Sequence, residues 1–390
     1  MKLVDITELF FHELRAKGVE QTWMSGPSAE PGPCRTEYVS GIPVLVPPNF
    51  GPGTARRLLT RAAYWLLELL FMIRQCRNRP DGILIRDKYW GAILGLIAAR
   101  ACGCKFMMWL SYPYPEHDAE IAESEAGWRR YFARVRAAVG TVVLYRIAMR
   151  RADHCFVQSE QMKSDLLKWG IRPDRMTAVP MGVAKRLFDE IETGGPLSEP
   201  PVVLYLGTMA SVRRLEILVD AFAIVASLHP NVRFEFVGDG PSPGDRRRLE
   251  DRVNRAGISH VVRFTGQLPM SEALGHVARA SVCVSPFRTT PVLRVASPTK
   301  FMEYLSFAKP TVGNRHPEHS FIAEQSDGAL VVDWSARAFA EAIVWCLDNP
   351  EQAREMGRRG RDWIGRYRTY DRIASQVHPE LTRVLCEARA

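Results

Sequence analysis

Residues Ser297 to Asn314 read S-P-T-K-F-M-E-Y-L-S-F-A-K-P-T-V-G-N, and this order describes a helix, then a strand, with an anion site at the helix start. Ser297 is a good helix cap whose hydroxyl accepts from an early N–H, and Pro298 suits the first helical position, where its missing donor costs nothing. The turn through Thr299 and Lys300 would then offer free N–H groups, the positive end of the helix dipole and a mobile ammonium. Glu303 lies three residues beyond Lys300 on the same face, so the lysine can reach a phosphate while the carboxylate accepts from ribose hydroxyls. Ala308, Lys309 and Pro310 stop the helix and Thr311 to Gly313 reads as a strand, which sets the helix beside a parallel sheet. An S-P start is common, so the rest of the chain has to agree.

Upstream, strand and helix alternate. Strands are expected at Val202 to Gly207, Val232 to Val237, Val261 to Thr265 and Val282 to Ser285, with helices at Leu215 to Leu228, Arg246 to Ala256 and Ser271 to Ala278. Strict alternation of this kind means a parallel sheet covered on both faces, with ligands at the strand C-terminal ends: Gly207, Gly238, Gly266, Pro286 and Asn314. The stretch Ala184 to Pro201 loses apolar periodicity and gathers Gly and Pro, so it reads as a linker.

Earlier still, Val4 to Arg15 reads as helix, Glu20 to Met24 and Ile42 to Val46 as strands, and Arg56 to Arg77 as a long helix. Gly82 to Arg86, Trp90 to Ala101 and Cys104 to Leu110 follow in β-α-β order, and the loop Ser111 to His117 leaves the last strand at its C-terminal end. There Ser111, Tyr112, Tyr114, Glu116 and His117 either line a sugar-binding cleft or, with Pro113 and Pro115, simply shape a turn. Ser159 is expected to cap a helix that Gly170 ends.

At 390 residues the chain is long enough for two domains, and 46% hydrophobic with 24% charged residues is a globular composition. The eight cysteines show no C-x-x-C pair, so reduced thiols in the cytoplasm are expected, and nine scattered histidines give no metal pattern. No basic segment with an apolar run and cleavage site opens the chain, and no apolar run reaches about 18 residues. Ala62 to Ile73 comes nearest and reads as a buried or interfacial helix. A net charge of +9 invites an anionic partner. Trp128 to Arg151 holds seven arginines, no acid and several aromatics, which suits either an anionic membrane surface or a core helix with a solvated basic rim. No nucleic-acid-binding pattern is present.

Several ordered motifs carry a resemblance. Ala152-Asp153, Val157, Ser159-Glu160 and Pro180, Gly182, Val183 form one set, and Gly207 with Arg213 six residues later forms another. Val237 to Pro241 reads V-G-D-G-P, Phe264 to Gly266 reads F-T-G, and Glu303 to Val312 completes the series. In these the chain resembles the family 4 glycosyltransferases of the GT-B fold, most strongly over residues 152 to 365. The resemblance implies an α/β architecture of two Rossmann-like doubly wound domains facing each other across a cleft. It gives an acceptor-side domain at 1–183, the linker at 184–201, a nucleotide-sugar domain at 202–365, and a C-terminal helix at 366–390 that crosses back to the first domain.

By position, the family pattern implies Arg213 and Lys300 as the catalytic cations at the donor phosphates. It puts Gly207, Thr208, Gly266, Ser297, Pro298, Thr299 and Glu303 around the rest of the donor, with Glu303 at the ribose and the Gly266 loop at the base. The chain departs from the pattern at Thr208, where an arginine often stands, at Val295, where an acidic partner of Glu303 is usual, and at Ala308, where Gly precedes the lysine. Family members open with a strand and a Gly-rich loop, and this chain begins at or inside the helix that follows them. The implied reaction is retaining, metal-independent transfer of a sugar from a nucleoside diphosphate sugar, a co-substrate rather than a cofactor. The acceptor would be a glycan or lipid-linked hydroxyl in cell-surface polysaccharide or glycolipid synthesis, reached on the cytoplasmic side. Thr208 and Val295 equally suit an alternative, a nucleotide-sugar-binding or assembly subunit impaired in catalysis.

Overall fold

The computed structural model describes residues 3–195 and 198–386, and the chain divides into two units, Ile6–Pro180 with Ala374–Ala390, and Met1–Asp5 with Met181–Ile373. The first unit opens with a helix over residues 7–16 that widens to π-helical turns at Leu9–Leu14. Strands β1 (Trp23–Met24), β2 (Arg35–Val39) and β3 (Ile42–Val46) form a small sheet in the order β1-β3-β2. Helix α1 (Thr54–Arg77) leads into a parallel sheet β4-β5-β6-β7, made of β4 (Gly82–Arg86), β5 (Lys105–Leu110), β6 (His154–Val157) and β7 (Met176–Ala178).

Around that sheet run α2 (Tyr89–Cys102), α3 (Tyr114–Ser124), α4 (Gly127–Gly140) and α5 (Glu160–Leu167). The α5 cap is as the sequence indicates, with the Ser159 hydroxyl accepting from the Met162 N–H at 3.1 Å. Two expectations change. Cys76 and Cys102 form a disulfide between the last turns of α1 and α2, whose Cα atoms lie 5.5 Å apart, so not all thiols are reduced. The basic helix α4 is also not free of acids in space: Arg136 meets Asp118 of α3 at 2.5 Å, and Arg129 lies 4.0 Å from Glu125.

In the second unit the expected linker is structured. Residues Lys185–Glu190 form α6, and the Arg361 guanidinium donates to the carbonyls of Phe188 and Ile191. Leu3 and Val4, expected in the first domain, pack here with Phe301, Met302 and Leu305, and the Ala184 N–H donates to the Leu3 carbonyl at 2.8 Å. Strands β8 (Val202–Leu206), β9 (Arg233–Val237), β10 (Val262–Gly266), β11 (Val282–Ser285), β12 (Thr311–Asn314) and β13 (Leu330–Val332) pair in parallel in the order β10-β9-β8-β11-β12-β13. Between them come α7 (Glu216–Leu228), α8 (Pro243–Arg255), α9 (Met270–Arg279), α10 (Thr299–Ser306) and α11 (Pro317–Ser326).

The run Val202 to Leu206 is buried throughout because both faces of β8 are covered. Val203 and Tyr205 join the core formed with Leu218 and Phe222, while Val202, Leu204 and Leu206 join that of Val277 and Tyr304. Helices α12 (Ala336–Asp348) and α13 (Pro350–Tyr367) follow, and α14 (Tyr370–Cys386) begins in this unit and continues into the other from Ala374.

Candidate functional site

Strand order in the six-stranded sheet reverses direction between β8 and β11, and the crevice at such a switch point is where an open α/β sheet takes its ligand. The loops leaving both strands carry the residues singled out in the sequence. After β8, Gly207 adopts φ +155° and Thr208 follows, its carbonyl accepting from the Tyr205 hydroxyl at 3.0 Å. Gly207, Gly238 and Gly266 are stitched together: the Gly207 N–H donates to Val237, and the Gly238 N–H to Gly266 at 3.1 Å. A Cβ at Gly238 would lie 2.3 Å from the Gly207 carbonyl oxygen, so the V-G-D-G-P turn needs its glycine for close backbone approach.

Arg213 ends a short 3-10 turn, Ser211–Arg213, which the Asp245 carboxylate holds by accepting from the Ser211 N–H at 3.0 Å. The Ser242 hydroxyl, first among its donors, keeps the Asp245 carboxyl below its usual range. The Arg213 guanidinium rests over the Phe287 ring, 4.9 Å from its centroid, and so spans from the β8 loop to the β11 loop. Asn314, at the end of β12, clasps Phe287 from the other side. It accepts from the Phe287 N–H at 2.6 Å and donates to the Phe287 carbonyl at 2.9 Å. Phe287 and Asn314 make no recognisable local motif. The sequence marks Asn314 as a ligand-side strand end, but not as the partner of Phe287.

Helix α10 enters from the β11 loop, and its start differs from the expected one. Pro298 is the cap residue and the helix begins at Thr299, with no side-chain cap. The Ser297 hydroxyl accepts instead from the Met181 N–H at 3.1 Å, so it fastens the helix start to a distant segment of its own unit. The first-turn N–H groups are therefore left to other acceptors.

Lys300 donates to Glu303 Oε2 at 2.7 Å, and Glu303 is only 3% exposed. Burial pushes the Glu303 carboxyl above its ordinary range, with the Lys300 charge opposing that rise. Tyr304 ties the same helix to β8, its hydroxyl accepting from the Leu206 N–H at 2.7 Å. Behind the helix, His319 stacks on Phe301 at 4.2 Å and its Nδ1 lies 3.2 Å from the Asn314 carbonyl. Val295 is buried, so the position where an acidic partner is usual holds an apolar side chain. Among the described residues, no group of three His, Cys, Asp or Glu side chains could hold a metal ion.

The acceptor-side candidates lie in the other unit. Ser111 is fixed at the end of β5, its N–H donating to Asp87 Oδ1 at 2.7 Å and its hydroxyl to Asp87 Oδ2. Tyr114, Glu116 and His117 belong to the first turns of α3 rather than to an open loop, because Pro113 caps that helix and Pro115 fits its start. The Tyr112 hydroxyl meets His117 Nδ1 at 3.1 Å, and Glu116 accepts from the Tyr145 hydroxyl at 2.6 Å. All five are partly exposed. Tyr112 and Tyr114 lie 5.1 Å apart as an edge-to-face pair.

Residues 200–349 match the family described as glycosyl transferases group 1, and residues 6–182 match the glycosyl transferase 4-like domain. The 2-deoxystreptamine glucosyltransferase of Streptomyces kanamyceticus is 26% identical over 325 residues, 77% of each chain. Sucrose-phosphate synthase from Thermosynechococcus elongatus superposes with a TM-score of 0.68 at 18% identity, covering 97% of this chain and 92% of that one. Anabaena HepE in complex with UDP and glucose gives 0.61 at 15% identity, over 93% and 98%.

Proposed function

Because the chain belongs to the family 4 glycosyltransferases and has the GT-B fold, we propose that it moves a sugar from a nucleoside diphosphate sugar to an acceptor hydroxyl and retains the anomeric configuration. What supports this reading is that the β8 loop with Gly207 and Arg213 and the β11 loop leading to α10 leave the sheet at its switch point, linked by Arg213 over Phe287, with the Lys300–Glu303 pair in the first turns of α10. The bond from the anomeric carbon to the diphosphate oxygen breaks, and the acceptor oxygen bonds to that carbon on the same face. The acceptor proton passes to the departing diphosphate.

Charge builds on the leaving oxygens, and Arg213, Lys300 and the free N–H groups of Thr299 and Lys300 meet it without a metal step. Lys300 has three donors, so it can hold Glu303 and a phosphate oxygen together. Glu303 accepts from the ribose hydroxyls, the Gly266 loop faces the base, and Thr208 lines the donor at the β8 turn. Ser297 and Pro298 act on the donor through the helix start that they position. Ser111, Tyr112, Tyr114, Glu116 and His117 orient the acceptor, a glycan or lipid-linked hydroxyl of cell-surface polysaccharide or glycolipid synthesis on the cytoplasmic side.

A thermal-shift series with UDP-, GDP- and ADP-sugars tests donor binding, since a ligand at 100 times its Kd stabilises by about 2.7 kcal/mol. No shift with any of them overturns the reading. Glu303→Gln should weaken nucleoside diphosphate binding by roughly tenfold or more in calorimetry, through loss of charge-assisted hydrogen bonds. If a 2′,3′-dideoxy nucleotide binds the wild type as tightly as the normal one, the ribose role is wrong. Val295 and Thr208 favour a second reading, a donor-binding subunit without turnover. Tight donor binding with no transfer or hydrolysis across an acceptor panel selects it.

A further inference from the structure

Helix α1 is turned inside out. Of its 24 residues it buries Glu68 and Met72, and Glu68 is the only acid in it. The Glu68 carboxylate accepts from Lys88 Nζ at 3.0 Å and from the Tyr64 hydroxyl at 3.0 Å, and it lies against Gly91 of α2, where an added Cβ would come within 3.0 Å. That contact fixes which side of α1 faces the protein. Starting beside Met72 and turning away from Glu68, the next face shows Leu58, Leu59, Trp65, Leu66, Leu69 and Ile73 to solvent, with Trp65 57% and Leu66 58% exposed. At about 100° per residue these six fall in one continuous strip. Trp90 and Ile97 of α2, the helix that α1 rests on, are exposed as well.

The charges on α1 point to what covers the strip. Arg56, Arg57 and Arg61 stand at one end, Arg74 and Arg77 at the other, and none of the five has an ion pair among the described residues. Helix α4, the basic segment that the sequence marks for lipid, is different, because Asp118 and Glu125 already answer Arg136 and Arg129. A second copy of the chain is a poor cover: both ends of α1 are basic, so parallel and antiparallel pairing alike set arginine against arginine. An anionic bilayer matches both features at once, with phosphates for the arginines and acyl chains for the strip.

We propose that α1 lies in the plane of an anionic membrane surface, with its leucine and tryptophan strip among the upper acyl chains and its arginines at the headgroup phosphates. Binding of this kind goes beyond sugar transfer and does not depend on it. Each arginine near the surface should contribute about fivefold to partitioning.

The test is sedimentation of the full chain with phosphatidylcholine vesicles, with and without phosphatidylglycerol, at low and high salt. The wild type should pellet with phosphatidylglycerol vesicles at low salt and be released as the Debye length falls well below about 10 Å. Trp65→Gln/Leu66→Gln/Leu69→Gln and Arg57→Gln/Arg61→Gln/Arg74→Gln should each lose binding by roughly tenfold or more while keeping the wild-type melting temperature, since all six side chains are exposed. Arg129→Gln/Arg134→Gln should bind within about fivefold of wild type, by the loss of at most one effective charge. Failure of the wild type to bind, or equal binding by the strip variant, overturns the proposal. So does a wild-type dimer that the strip variant turns into a monomer in ultracentrifugation while vesicle binding stays the same, which would assign the strip to a second copy.

Discussion

Helices α10 and α1 each bury one glutamate and pair it with a lysine, Glu303 with Lys300 at 2.7 Å and Glu68 with Lys88 at 3.0 Å. In α10 the six residues Phe301 to Ser306 are buried around that glutamate. In α1 the glutamate and one methionine are buried and five of the six leucines are outside. The same charge pair therefore stands in two settings. At the switch point of a parallel sheet it sits one turn inside a helix that begins without a side-chain cap. On the flank of a unit, against a glycine of the next helix, it is a fastening that decides which face of α1 is shown.

The sharpest way to break this comparison is to remove both lysines. Lys300→Ala should cost a hundred- to thousandfold in kcat, about 2.7 to 4 kcal/mol of stabilisation at the leaving group. Lys88→Ala should lower the melting temperature and leave kcat within about threefold, because Glu68 is left buried without its cation. Equal kinetic losses would mean that both pairs serve the reaction.

A second contrast is shared by the units rather than dividing them. Burial lowers His316 in the C-terminal unit and His154 in the N-terminal unit to about 4, and holds His319 well below its ordinary value. Each is neutral in the folded chain and takes a proton more readily once unfolded. Stability from such a group is complete above the ordinary histidine value of about 6.5 and declines as pH falls toward 4. For His316 alone the loss amounts to about 3 kcal/mol over that window. Urea midpoints measured between pH 7 and pH 4 should fall accordingly, and His316→Asn should flatten the decline. A midpoint independent of pH across this range would show that His316 is not buried as neutral imidazole.

The smallest effect concerns how the helices end. Helix α2 stops at Gly103 with φ +69°, whereas the turn after α10 places Ala308 at φ +54°, a conformation in which a Cβ is unfavourable. Ala308→Gly should stabilise by about 1 kcal/mol, a rise of roughly 2 to 4 °C in Tm, seen by calorimetry. A fall in Tm would show that the Ala308 methyl contributes more through packing than its backbone costs.

Much of the C-terminal unit is legible in the sequence. A strand buried on both faces must be apolar throughout, as V-V-L-Y-L is, and a close turn such as Gly207 to Gly238 tolerates only glycine. Other features depend on partners that no local pattern contains. The Ser297 hydroxyl serves a backbone N–H 116 residues away, and the seat of Arg213 on Phe287 joins two loops that meet only through the sheet order. Periodicity shows that α1 has an apolar side and a polar side. Which of them is inside is settled by Lys88, 20 residues from Glu68, so the sequence leaves buried and interfacial equally open. The Cys76–Cys102 bond is hidden for the same reason, because the helix ends that bring the two together lie 26 residues apart.

The chain passes between its two units at Asp5/Ile6, at Pro180/Met181 and at Ile373/Ala374. For anyone dividing the protein, this means that no single cut yields two whole units. A gene fragment ending at residue 180 carries Leu3 and Val4, which belong to the core around Phe301, and lacks Leu385, whose side chain lies against Gly82. The complementary fragment keeps the end of α14 without the sheet it covers. Swapping C-terminal units between relatives would therefore take three junctions, with both termini travelling separately from the sequence next to them.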